Sequence, residues 1–123
     1  MKTYRHGSEG RHRVIGYHTN DSDLYIAFVS GSRITGETTH IHTDSDELYI
    51  TVRGKGTIWV NGKIYRLQHG VIKRVGKGEP HRVLSVYEAP LVYYTIKINT
   101  LDDKVDIVTP PELLELMKRQ GLI

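Results

Sequence analysis

Cysteine is absent from the chain, which excludes disulfide scaffolds, zinc ribbons, thiol nucleophiles and iron–sulfur clusters. No apolar run approaches the roughly 20 residues of a membrane-spanning helix. The opening Met1-Lys2-Thr3-Tyr4-Arg5-His6 leads into no apolar stretch of the kind a secretory leader needs. A strong charge excess is missing too: seventeen Lys and Arg against fourteen Asp and Glu leave +3. The basic residues are scattered, with one local excess at Lys2, Arg5, Arg11 and Arg13, so nucleic acid is not an expected partner. Repeats, linkers and low-complexity segments are also lacking. The expectation is a single cytoplasmic domain spanning residues 1–123, without a membrane partner. Its length and 38% hydrophobic content suffice for a proper core.

The pattern along the chain is that of strands. Runs rich in β-branched and aromatic residues cover 14–19, 24–30, 34–42, 47–52, 57–60, 63–67, 72–75, 82–87 and 91–98. Turn clusters separate them, among them Thr43-Asp44-Ser45-Asp46, Gly54-Lys55-Gly56 and Gly76-Lys77-Gly78-Glu79-Pro80. Asn61-Gly62 is the sharpest of these signals, because this pair accepts the positive φ angles of a type I′ hairpin turn. Many short strands with no long helix between them predict an all-β antiparallel sandwich or barrel. One helix is expected within 110–120. Thr109 and Glu112 form a capping box, Pro110 suits the first turn, and Leu113, Leu116 and Met117 recur at helical spacing before Gly121. So short a helix must dock on the barrel or on a neighbouring subunit.

Histidine is what the chain has in plenty, with seven residues. His40-Ile41-His42 lies on an expected strand, where side chains two apart address one point. Glu47 would fall on the opposite face by strict parity, but the intervening turn can reset it. His81 follows the Gly-rich turn on a strand distant in sequence. His6, His12, His18 and His69 sit in polar or turn-forming sequence and are read as surface residues.

Taken together, these residues resemble the cupin family. Its first motif, a His-x-His pair, then a Glu and a Gly, matches His40, His42, Glu47 and Gly54. Its second motif matches at Gly70, Gly78 and His81, across a spacer suited to compact members. The chain departs from the pattern at Ile34, Val71, Gly76 and Ser85, none of which stands at a ligand position. The resemblance implies a β-barrel, or jelly roll, over about 14–98. It also implies one divalent metal bound by His40, His42, Glu47 and His81 on the inner face. Three neutral imidazoles and one carboxylate carry a charge of −1, which suits Fe, Mn, Ni, Cu or Zn.

If Glu47 faces inward, Tyr49 and Thr51 share its face, while Leu48, Ile50 and Val52 form an outward apolar row that needs cover. That row predicts a homodimer. Glu47 and Tyr49 are the expected catalytic groups, as base and proton donor. Arg33, Lys73, Arg74 and Tyr93 are candidates to meet a small-molecule substrate, as are Arg53 and Lys97 if they face the cavity. The leading function is a metal-dependent dioxygenase-type enzyme. A metal-dependent sugar-phosphate isomerase and a non-catalytic binding or sensor module are the alternatives.

Overall fold

The structure, a computed structural model, describes residues 3–8, 14–21, 24–32, 37–98 and 103–123, with side chains from residue 25 onward. Among the described residues, nine strands form one antiparallel sheet, followed by a single helix. The strands are β1 (Thr3–Ser8), β2 (Val14–Asp21), β3 (Leu24–Gly31), β4 (His40–His42), β5 (Glu47–Val60), β6 (Lys63–Gln68), β7 (Ile72–Val75), β8 (His81–Ile98) and β9 (Lys104–Asp106). The ladder runs β1-β2-β3-β8-β4-β9, and β5 joins β8 to β6 and β7. This is the antiparallel all-β architecture that the strand pattern predicts, in the jelly-roll form that the resemblance implies. No ladder closes the sheet into a full ring among the described residues.

Two long strands organise the domain. Residues 81–86 of β8 pair with 56–60 of β5, and residues 91–98 pair with both β3 and the first half of β5. Sequence reading expected two strands in place of each, with a turn at Gly54-Lys55-Gly56. Instead both run through, and β5 absorbs the change of direction in register shifts between Thr51 and Ile58. Gly54 makes this bend: its φ is +78°, and a Cβ there would lie 2.1 Å from the Pro90 carbonyl oxygen. We therefore expect Gly54→Ala to cost roughly 2–4 kcal/mol through backbone strain and overpacking. That should lower Tm by about 10 °C. Gly62→Ala is the control, since nothing lies within 4 Å of a Cβ at that position, and a melt as depressed as that of Gly54→Ala would refute the close-approach account. Asn61 and Gly62 have φ of 46° and 95°, the type I′ turn expected between β5 and β6.

Strands β1 and β9 were not foreseen, and the expected strand 34–42 is short. Only His40–His42 is extended, residues 37–39 follow an irregular path, and 33–36 lie outside the described residues. The main core gathers Tyr49, Ile58, Val60, Leu67, Val75, Val83, Leu91 and Tyr93 on the inner face. The helix α1 (Pro111–Arg119) buries Leu113 and Met117 against Trp59 and Leu84, with Leu116 and Leu122 beside them. It therefore docks on its own barrel. It ends as Gly121 predicts, with the Gly121 N–H donating to the Lys118 carbonyl and the Leu122 N–H to that of Met117. The expected capping box does not form. Pro110 holds the cap position without a side-chain bond, and the Thr109 hydroxyl pairs with that of Thr39 at 2.9 Å.

Candidate metal centre

Each of four buried side chains is aimed at one point by its strand. His40 and His42 share a face of β4, and His81, the first residue of β8, stands directly opposite His40 in the ladder. Glu47 opens β5 after residues 43–46, and its buried carboxylate lies against His42 and His81. One ligand atom from each of His40, His42, Glu47 and His81 lies within 4.8 Å of the others. The imidazole centroids are 4.2 to 5.2 Å apart.

The outer nitrogens decide what the inner ones can do. Nδ1 of His40 donates to the Thr38 carbonyl at 2.8 Å, and Nδ1 of His81 to the Glu79 carbonyl at 2.9 Å. Nδ1 of His42 lies 3.1 Å from the Asp103 carboxylate. Carbonyls only accept, so in neutral His40 and His81 the proton sits on Nδ1 and Nε2 presents a lone pair. His42 Nε2 is buried without a hydrogen-bond partner. Glu47 Oε1 lies 3.1 Å from Nε2 of His81 and 3.3 Å from that of His42. Facing groups of this kind need a proton or a cation between them, and a divalent metal fits this donor set.

Burial and the neighbouring His81 push His40 down to about 4, which keeps it a neutral ligand. The sign for stability follows from linkage. Between pH ~6.5 and ~4 the unfolded chain holds a proton on His40 that the folded chain does not, so stability falls as pH drops through that window. Glu37, pushed up by burial, works in the opposite sense. The metal-free protein should therefore be compared with His40→Gln, whose Tm is expected to depend less steeply on pH across this window. Parallel profiles would refute the assignment.

Beneath the four ligands lie Tyr49 and Tyr93, both buried, with centroids 5.5 Å apart. Burial and the Glu47 and Glu37 carboxylates raise both phenols well above their ordinary range, so they are neutral hydrogen-bond donors. Of the two adjacent cations on β7, Lys73 faces inward opposite Tyr49, with Nζ 3.6 Å from the Tyr65 ring centroid. Arg74 does not line the site: it is 70% exposed and paired with Asp46 on the outer side. Arg53 is exposed, Lys97 is buried, and Arg33 lies outside the described residues.

Two carboxylates escaped the sequence reading. Glu37 lies 3.8 Å from Nδ1 of His40. Strand parity would have sent it away from the site, but the chain is irregular over 37–39. Asp103 had no motif to announce it.

An antiparallel jelly roll with three imidazoles and a carboxylate converging on its inner face defines a barrel protein built around a candidate metal site. The cupin-domain family model matches residues 28–97, and the chain belongs to the cupin family. Among curated proteins no sequence matches. Three solved structures share the fold. KdgF from Halomonas sp. is 18% identical over 73% of this chain and 82% of its own, with a TM-score of 0.63. Pac13, a nucleoside dehydratase, is 13% identical over 90% of this chain and 89% of its own, with a TM-score of 0.68. The Streptomyces protein has also been solved with uridine. Oxalate decarboxylase of Bacillus subtilis is 18% identical over 92% of this chain, with a TM-score of 0.67. This chain spans 33% of that one.

Proposed function

We propose that the protein is a metal-dependent enzyme acting on a small, oxygen-rich molecule, with dioxygenase-type chemistry. The observation that carries this reading is the convergence of three imidazoles and the Glu47 carboxylate beside buried phenols. His40, His42, Glu47 and His81 would hold Fe, Mn, Ni, Cu or Zn. Four protein ligands leave two positions free on a six-coordinate ion. When bound, the metal supplies Lewis acidity and, if iron, redox chemistry toward dioxygen. The chain's own groups do the rest. Tyr49 and Tyr93 orient substrate oxygens and can donate a proton, Glu47 can accept one, and the buried core walls exclude water. That solved neighbours are a uridine-binding dehydratase and an oxalate decarboxylase supports a small polar ligand.

The isomerase reading needs a basic phosphate clamp. Arg74 is tied to Asp46 on the outer side, and of the pair only Lys73 faces inward, over the Tyr65 ring. We further propose that two copies pair through the outward faces of β5, β7 and β8. The deciding experiment is metal analysis, then anaerobic reconstitution with iron and oxygen-uptake assays over diols, diketones and phenols. Substrate-dependent uptake is the expected result. Turnover without uptake would move the assignment to isomerase or lyase chemistry, and no turnover with any metal to a binding module.

A further inference from the structure

Two buried side chains of opposite charge meet at the same nitrogen of His42. The Asp103 carboxylate lies 3.1 Å from Nδ1, and Lys97 Nζ lies 3.2 Å from it. The two also pair with each other at 3.1 Å. We propose that this pair selects the tautomer of His42, with Asp103 as the positioning residue that keeps the ring able to coordinate. The inference rests on the metal-centre reading above. It concerns a residue outside the matched segment 28–97.

A neutral imidazole nitrogen either carries a hydrogen and donates, or carries a lone pair and accepts. Asp103 can only accept and Lys97 can only donate, so they are alternative partners with opposite consequences. Bonded to Asp103, His42 has its proton on Nδ1, and Nε2 is free for a metal. Bonded to Lys97, it has its proton on Nε2, directed at Glu47, and coordination is blocked.

Three observations say which partner wins. His42 Nε2 makes no hydrogen bond, so it is not donating to Glu47. Lys97 is satisfied elsewhere, by Asp103 and by the Tyr25 ring with its centroid 4.6 Å away. Asp103 is a fixed anion: its second oxygen accepts from the Ser45 hydroxyl at 2.6 Å and the Asp44 N–H at 3.0 Å. Its backbone carbonyl accepts from the Thr43 N–H at 3.1 Å. One carboxylate thus holds the turn that aims Glu47 and the ring that faces it. Lys97 neutralises that carboxylate, yet would take over the imidazole if the carboxylate were lost.

The test uses the full chain with labelled histidine. Nitrogen-15 spectra of the metal-free protein at neutral pH read the His42 tautomer, and a competition titration with zinc reads affinity. Wild type should show the proton on Nδ1. Asp103→Ala should move it to Nε2 and weaken zinc by about 10–100-fold, the usual cost of losing a partner that orients a ligand. Adding Lys97→Met to Asp103→Ala removes the competing donor and should recover most of that loss, whereas a purely structural defect would deepen. If Asp103→Ala does not fold, Asp103→Leu keeps the bulk without an acceptor and is read in the same way. An unchanged tautomer, or a double variant no better than the single, overturns the selector even when wild type binds zinc. A wild type that takes no zinc, yet whose tautomer switches in Asp103→Ala, overturns the metal reading and keeps the selector.

Discussion

Replacing His81 with alanine is expected to strip the metal, lowering affinity by more than the 10–100-fold typical of a supporting partner. His81 is fully buried, faces His40 across the ladder, and has Nε2 3.1 Å from Glu47. Its removal deletes one of four donors and leaves a cavity at a fully buried position. His40→Ala should behave alike. His69→Ala should retain full metal, since His69 is exposed in the turn after β6. Elemental analysis per chain decides the matter, and equal metal content in all three variants would refute the site. Loading should also weaken in acid, because imidazoles must be neutral to coordinate and protons compete with the metal for them.

The parts of this site that were legible in the sequence are those that local geometry determines. Two histidines two apart on a strand share a face whatever the fold, and Asn61-Gly62 dictates its own turn. The alternation of Glu47, Tyr49 and Thr51 with Leu48, Ile50 and Val52 survives into the structure as inward and outward rows. What was not legible depends on distant partners. Gly54 reads as a turn residue until Pro90 is seen to approach it, and then it is a bend inside a strand. Sequence says that Lys73 and Arg74 point opposite ways. Only the pairing of Lys73 with Tyr49 says which is inside. Asp103 lies beyond β8, and its role exists only because the chain folds back to place β9 beside β4. Secondary-structure pattern carries no trace of such an encounter.

The second large effect concerns the outer face, where Ile50→Lys is expected to turn a homodimer into single chains. Ile50 sits between Ile72 of β7 and Tyr94 of β8, and Leu48 stands beside Ile96. Phe28 extends the face on β3, with its ring centroid 5.3 Å from that of Tyr94. Several of these residues are open to solvent: Ile72 is 64% exposed, Ile98 68%, Val52 40% and Tyr94 39%. A contiguous apolar face of this kind calls for a partner. The proposed twofold copy would cover it with one self-complementary contact, since every residue on it would be used twice. The helix adds nothing to this argument, because Leu113 and Met117 are already buried within the chain. The doubling also sets the size of the effect. A buried anchor contributes about 2 kcal/mol, a twofold interface loses two, and ~4 kcal/mol raises Kd roughly 1,000-fold. Val108→Lys is the control, at a position 90% exposed outside these strands. Light scattering at micromolar concentration should give two chains for wild type and Val108→Lys, and one for Ile50→Lys. A single-chain mass for wild type would mean that the face stands uncovered and that the dimer is not formed.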